Sequence, residues 1–391
     1  MSDTEDGHFN YMDNDYHVGR KCIIRRVSYD VSSVNDILGS PAEQKLQFNI
    51  PTINGSRSIT EFHILNRVEE GTYGVVFKAQ DKKNGKVVAL KRLKMTTSQD
   101  GFPIHYLREI KTLSMLHHPN IIQLQEVVVS SSVEPVYLVM EFVELDLKTR
   151  MDTMRENKHS FSSQDVLILI EQVLRGLCYL HANWILHRDL KPSNLLLSSH
   201  GLLKIADFGL AREYGSPLLK FTPGVVSLWY RAPELLLKAT NYSTAIDVWS
   251  YGCIFAEMIL MSPLFKGKSE INQLSLIYKI LGSPTETELP GSKFISMGRN
   301  DGLKQYFSCM LDKCIPGREL SDAGLELMQS CLSYDPSKRI TCEDAMSSEY
   351  FVKSSMVIRS SPNFFDYRDD GRWYDEGYQS RIDQDSWHLR F

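Results

Sequence analysis

The segment His187-Arg188-Asp189-Leu190-Lys191-Pro192-Ser193-Asn194 sets an aspartate, a lysine two residues on and an asparagine five residues on in one short stretch. The three side chains offer three different chemistries. A carboxylate at Asp189 can accept a hydroxyl proton, an ammonium at Lys191 can neutralise a phosphate, and an amide oxygen at Asn194 can bind a metal ion. Pro192 has no N–H and forbids an ordinary continuous helix, so the stretch reads as a shaped loop.

Four other constellations accompany it. Lys204-Ile205-Ala206-Asp207-Phe208-Gly209 is an apolar strand ending in an acidic turn. A carboxylate there suits Mg²⁺, which takes hard oxygen ligands and keeps several waters. Glu69-Glu70-Gly71-Thr72-Tyr73-Gly74-Val75-Val76 lies between two predicted strands. Glycines at such a tip let backbone amides approach phosphate oxygens, although two glycines on a turn also make an ordinary turn. Glu69 stands where a G-x-G-x-x-G loop has its first glycine. Val88-Ala89-Leu90-Lys91 ends a buried strand in a charge, which needs a partner if it stays inside. Glu109 on the following helix is a candidate; the alternative is a lysine that snorkels out. Ala232-Pro233-Glu234, Asp247-Val248-Trp249 and Arg339 read as structural, with Glu234 and Arg339 as a buried ion pair and Asp247 holding the 187–194 loop.

The elements that must position these groups follow from patterning. Phe62, Ile64, Asn66 and Val68 alternate with polar residues as in a half-buried strand. Val75 to Ala79 and Val87 to Lys91 flank Asn84-Gly85, a hairpin signal. Ile104, Leu107, Ile110, Leu113 and Leu116 fall on one helical face, and 121–129 and 136–142 read as strands. Ser162 to Asp165 resembles a capping box ahead of a long apolar helix through Leu180, and helical patterns dominate to Phe351. A sheet-rich front therefore joins a helix-rich back.

Composition bounds the class. The 391 residues are 42% apolar and 24% charged, the proportions of one large globular domain or two. A net charge of −4 gives no global pull toward nucleic acid or an anionic membrane. No apolar run approaches the ~20 residues that span a bilayer, and Met1 to Asn10 lacks the order of a signal peptide. Seven scattered cysteines without CxxC spacing argue against a disulfide framework or zinc site, and for a reducing compartment. Residues 1–61 read as a flexible extension, 62–351 as the globular domain, and 352–391 as a polar tail whose eight aromatics either dock on a surface or remain flexible.

Taken in order, the five constellations resemble the protein-kinase signature set: glycine-rich loop, strand lysine, helix glutamate, HRD loop, DFG and APE. The resemblance implies an α+β, bilobal kinase fold with a small β-rich N-lobe and a larger helical C-lobe. Gly101-Phe102-Pro103-Ile104-His105-Tyr106-Leu107-Arg108-Glu109 is similar to the cyclin-contacting helix of cyclin-dependent kinases, nearest the PITSLRE subgroup, with His105 and Tyr106 in place of Thr and Ser. Glu69 fits that subgroup, as do Ser56-Arg57-Ser58, Leu90 to Met95, Met140 at the gatekeeper position and Glu213-Tyr214-Gly215-Ser216-Pro217.

What the resemblance implies, residue by residue, is a Mg- and ATP-dependent serine/threonine kinase. Asp189 would orient and deprotonate the substrate hydroxyl, and Lys191 would stabilise the transferring phosphoryl group. Asn194 and Asp207 would hold Mg²⁺, and Lys91, paired with Glu109, would grip the α/β-phosphates. Gly71 and Gly74 would cover the phosphates, and Val68, Val76, Ala89 and Leu196 would sandwich adenine. Glu141 to Val143 would offer hinge backbone, and Asp146 would contact ribose. Thr222 resembles the activating phosphosite, with Arg108, Arg188 and Arg212 as its phosphate clamp. Thr72 and Tyr73 match inhibitory phosphosites, their other role being loop packing. Val225, Val226, Ser227 and Arg231 would shape a pocket favouring Ser-Pro or Thr-Pro substrates.

The implied partners are an L-type cyclin, through the Pro103–Glu109 region, and protein substrates in transcription, pre-mRNA splicing and cell-cycle control, without direct nucleic-acid contact. Nuclear residence, with cytoplasmic presence also open, is inherited from the same likeness. Two rivals stand beside it: an inert scaffold that keeps the fold for binding, and an active enzyme of a neighbouring cyclin-dependent subgroup.

Overall fold

The chain builds its first layer from antiparallel strands joined by short turns, the arrangement that its Val-rich segments and Asn84-Gly85 favour. In this computed structural model the described residues are 56–70, 74–94, 102–130, 135–215, 226–289, 305–315 and 320–352. Gly71, Thr72, Tyr73, Thr222 and Val225 lie outside them, as do residues 1–55 and the tail beyond Val352.

A five-stranded antiparallel sheet takes the order β1-β2-β3-β5-β4, from β1 (Phe62–Glu70), β2 (Gly74–Asp81), β3 (Val87–Leu93), β4 (Leu124–Val129) and β5 (Val136–Glu141). Gly85 takes φ 73°, the left-handed conformation that the hairpin tip requires. Gly74 answers a different need. A Cβ there would run into the Arg92 carbonyl, so close approach of β2 to β3 demands a residue without one. The expected half-buried alternation of β1 is corrected: Phe62 is buried, but Ile64 and Val68 are 44% and 52% exposed. As an edge strand, β1 packs inward only where it meets the small core of Ala79, Val88, Leu90, Val128 and Val139.

Ordered structure begins before Phe62. Arg57 reaches Asp81 with both Nη atoms, at 2.9 and 2.6 Å, and also bonds Glu61 and Glu126. Its guanidinium stacks over Phe62 at 4.6 Å from the ring centre. The flexible reading of 1–61 thus does not hold for 56–61, which an ion-pair hub pins to the sheet.

Helix α1 (Ile104–Met115) links this sheet to the larger helical part. That part holds α2 (Leu147–Glu156), α3 (Ser163–Ala182), α4 (Pro233–Leu236), α5 (Ala245–Leu260), α6 (Glu270–Leu281), α7 (Leu311–Cys314), α8 (Asp322–Cys331) and α9 (Cys342–Met346). Short strands β6 (Leu145–Asp146), β7 (Ile185–Leu186), β8 (Leu195–Leu197), β9 (Leu203–Ile205) and β10 (Arg212–Glu213) edge it, pairing as β6-β8-β9 and β10-β7. α3 starts on the expected capping box, Ser162 with Asp165. α5 is buried along nearly its whole length and packs on α3 and α8, so its apolar residues form the centre of the main core. Glu234 and Arg339 pair at 2.8 Å in that interior. No helix among the described residues is long and apolar enough to cross a membrane.

Candidate active site

The loop after β7 is held from beneath by one carboxylate. Asp247, in the first turn of α5, accepts the amide N–H groups of His187 and Arg188, each at 2.9 Å. Burial opposes its ionisation, but the bonds from His181 and the Arg188 amide outweigh that and hold its pKa below the ordinary value. The His187 ring bridges to the acidic turn: Nε2 faces the Ala206 carbonyl at 3.0 Å and Nδ1 accepts the Asp189 amide at 3.3 Å. That pattern assigns a neutral ring protonated at Nε2. Phe208 packs edge-on against it at 5.1 Å and is itself buried.

Above this support Asp189 collects four donors. Lys191 Nζ lies 2.7 Å from one oxygen and the Ser227 amide and hydroxyl lie 3.0 and 2.9 Å from the other. Asn194 Nδ2 adds a longer contact at 3.2 Å. Lys191 also donates to the Ser227 hydroxyl at 3.2 Å, so Ser227 joins both groups, as its type predicts. With so many donors Asp189 is fixed in place, an acceptor aimed by its neighbours.

The second half of the site arrives with β8 and β9. The hairpin between them, and a 2.8 Å bond from the Ala206 amide to the Asn194 carbonyl, set Asn194 beside Asp207 along the chain path. Asp207 has φ 61°, a left-handed backbone rare for a non-glycine residue. Lys91 crosses from β3 to meet it: Nζ lies 2.6 Å from Glu109 Oε1 and 3.1 Å from Asp207 Oδ1. Burial would lower the lysine's pKa, but the two carboxylates raise it above the ordinary value. Burial likewise resists ionisation of Asp207, and the Lys91 charge overrides it. The snorkelling alternative is therefore corrected: the charge stays inside because it is paired.

These residues also fit a divalent cation. Among the described residues no group of three or more His, Cys, Asp or Glu side chains is placed to hold a metal ion by itself. Asn194 and Asp207 offer hard oxygens in the sparse number that suits Mg²⁺, which completes its shell with water and substrate phosphate.

The residues expected around a nucleotide lie on adjoining strands. Val76 pairs with Lys91 across β2 and β3, Ala89 with Met140 across β3 and β5, and Asp146 with Leu196 across β6 and β8. Val143 packs on the main core and Val68 is open to solvent. Glu141 has a structural side chain, accepting the Gln123 amide at 2.8 Å and pairing with Lys204 at 3.0 Å, and its amide N–H donates to the Gln123 carbonyl at 3.3 Å, so its side chain and N–H are committed within the protein. Asp146 caps α2 through Thr149, at 2.9 Å to the amide.

The three arginines of the expected clamp differ. Arg108 is exposed on α1. Arg188, at φ 65°, is buried and donates to the Leu210 carbonyl and to the Tyr242 hydroxyl, each at 2.8 Å. Arg212 lies one strand pair away, opposite Leu186, and its charge also acts on Tyr242. Val226 sits at φ 70°, with its carbonyl accepting Arg231 Nε and Nη2 at 3.2 and 2.9 Å.

Some functional neighbours carried no local signal. Tyr242 braces Arg188, and Glu270 fixes Arg231 at 2.7 Å, both from distant segments. Tyr106, placed by its helix among partner-facing residues, points inward instead: it is buried and its hydroxyl ties both backbone groups of Lys94.

Comparison with known proteins agrees with this geometry. The protein kinase domain family matches residues 62–351. The chain is 50% identical over 332 residues to cyclin-dependent kinase 11B of Homo sapiens, covering 82% of this chain and 40% of that protein. It is 51% identical over 317 residues to the serine/threonine-protein kinase PITSLRE of Drosophila melanogaster, covering 80% and 33%. With cyclin-dependent kinase 11B of Rattus norvegicus the identity is 49% over 333 residues, covering 82% and 73%. The chain thus spans less than half of the human and fly relatives. On these matches, the chain belongs to the protein kinase family and, within it, to the PITSLRE branch of the cyclin-dependent kinases.

Proposed function

We propose that this chain transfers the γ-phosphoryl group of ATP to serine or threonine hydroxyls of proteins, with Mg²⁺ as cofactor and a cyclin as activating partner. The observation that carries the reading is Lys91 bridging Glu109 and Asp207, because it brings a phosphate-binding ammonium and a metal-binding carboxylate within 3.1 Å. In this reading Asp189 orients the substrate hydroxyl and accepts its proton. Lys191 lies beside Asp189, where charge develops on the transferred group. Asn194 and Asp207 would hold Mg²⁺, which when bound neutralises the phosphate oxygens. The transition state is loose, so positioning and charge supply most of the acceleration.

The Val226 carbonyl supports a preference for proline after the phosphoacceptor. Arg231 already occupies that carbonyl, so a substrate N–H opposite it would stay unpaired, and proline has none. For the cyclin, Ile104 and Leu107 support the Pro103–Glu109 region, being apolar side chains 61% and 53% exposed in the first turns of α1. An L-type cyclin, a nuclear location, Thr222 as activating site and Thr72 and Tyr73 as inhibitory ones extend the reading by likeness to the subgroup. A peptide library phosphorylated with Mg-ATP tests it: enrichment of proline directly after Ser or Thr is expected, and phosphorylation without that enrichment contradicts the substrate class.

A further inference from the structure

Two side chains of α1 reach toward β3, and they meet their partners in opposite chain order. Glu109 meets Lys91. Tyr106, one helical turn earlier on the same buried face, meets Lys94 just past the end of β3. The Lys94 amide N–H donates to the Tyr106 hydroxyl at 3.1 Å, and that hydroxyl donates to the Lys94 carbonyl at 2.9 Å. One hydroxyl thus takes a donor and an acceptor from a single residue, which fixes its direction as well as its distance.

The ion pair by itself is one point of attachment. Glu109 gives Lys91 its Oε1 at 2.6 Å, while Oε2 has no hydrogen-bond partner among the described residues. A helix held at one point can turn about it or draw back. The first turn of α1 needs a further hold, because it opens on Pro103 without a side-chain capping bond. Tyr106 stands in that turn, buried, with its ring centre 4.0 Å from that of His105 and 6.2 Å from that of Phe102. Leu93, the last residue of β3, belongs to the same core. Packing sets the ring, and the ring sets the hydroxyl.

We propose that Tyr106 is a positioning residue whose hydroxyl latches the first turn of α1 to the end of β3, keeping Glu109 on Lys91 in the chain alone. The latch acts through Glu109, which in turn holds the Lys91 ammonium in place. A serine, which the subgroup signature carries at this place, ends one bond beyond Cβ. It cannot reach the Lys94 backbone from the same helix position, so the latch comes with the substitution. The effect on turnover rests on the kinase reading above; the effect on the ion pair does not.

Lys94 is exposed, so water can take over its N–H and carbonyl once the hydroxyl is gone. Tyr106→Phe keeps the ring in the core and removes only the two bonds. The fold therefore survives in that variant while the latch is lost.

The test acylates the nucleotide-free, full-length chain with limiting acetic anhydride and maps the modified lysines by peptide mass. Lys204 is the internal reference: its side chain has the same 10% exposure as that of Lys91 and is also paired, with Glu141. In Tyr106→Phe, acylation of Lys91 relative to Lys204 should rise at least threefold. Glu109→Gln should raise it as much or more. The double variant should match Glu109→Gln alone, because the latch works through that carboxylate. Without a cyclin, kcat for a Ser-Pro peptide should fall at least fivefold in Tyr106→Phe, with the peptide KM within twofold of the parent. Three results overturn the proposal: a Lys91-to-Lys204 ratio that Tyr106→Phe leaves unchanged, effects that add in the double variant, or an unchanged kcat in an active chain. Absence of turnover in the parent bears on the kinase reading, and the acylation ratio then decides the latch by itself.

Discussion

Arg231 holds the carbonyl of Val226 with two hydrogen bonds, at 3.2 and 2.9 Å, while Val226 keeps a φ of 70°. A β-branched residue in that region costs about 1–3 kcal/mol and persists only where its surroundings enforce it. Arg231, itself fixed by Glu270, supplies the enforcement at the place where a substrate backbone would lie.

Replacing Arg231 by alanine should therefore release the carbonyl and let it accept an ordinary amide. The ratio of kcat/KM for a Ser-Pro peptide over its Ser-Ala counterpart should fall at least tenfold, about 1.4 kcal/mol of discrimination. A ratio unchanged in the variant would detach proline selection from this contact.

Glu109→Gln removes the charge that keeps Lys91 paired from the α1 side. The amide still fits the space, so folding should persist, while kcat should drop about a hundredfold as the ammonium loses its fixed position. Thermal melting beside steady-state kinetics separates the two. Full activity in the variant would show that the Lys91–Asp207 contact suffices.

Glu257 gives a pH signature. Burial pushes its carboxyl up to about 7, and the Tyr230 hydroxyl donates to it at 2.7 Å. Between about pH 4.5 and pH 7 the folded chain binds a proton that the unfolded chain has lost. Stability from this group is thus full below pH 4.5 and declines as pH rises, by up to about 3 kcal/mol. Glu257→Gln retains the acceptor without the charge. Urea melts should show the variant matching the parent near pH 5 and exceeding it at pH 8; parallel curves at both values would count against a neutral buried carboxyl.

Arg57→Ala leaves Asp81 and Glu126 without their guanidinium, and Asp81, whose pKa that guanidinium draws down to about 2, nearly inaccessible to solvent. A loss of about 1–3 kcal/mol is expected. A melting temperature within a degree of the parent would make the 56–61 segment a passenger on the sheet.

Local signals were the legible ones. The Asn84-Gly85 turn, the Ser162–Asp165 capping box and the need of a buried Lys91 for a partner each follow from chemistry within a few residues or one strand. Asp247 and the Glu234–Arg339 pair followed from the kinase pattern. What escaped depends on distance or on an unseen surface. Apolar spacing placed Ile104 and Leu107 on the same face as Leu113, yet the helix buries Tyr106, Glu109, Thr112 and Leu113 and leaves Ile104 and Leu107 out. Periodicity marks apolar positions without saying whether core or partner covers them. Arg57 with Asp81, and Arg188 with Tyr242, meet across 24 and 54 residues, and no window along the chain joins them.

The most direct measurement is phosphate transfer from Mg-ATP to a Ser-Pro peptide, with and without an L-type cyclin, using Asp207→Asn as the blank. Turnover that rises with the cyclin and vanishes in the blank is the predicted result. Mg-ATP binding with no turnover in either condition, by a folded chain whose Lys91, Glu109 and Asp189 are intact, would contradict the assignment and leave a nucleotide-binding scaffold in its place.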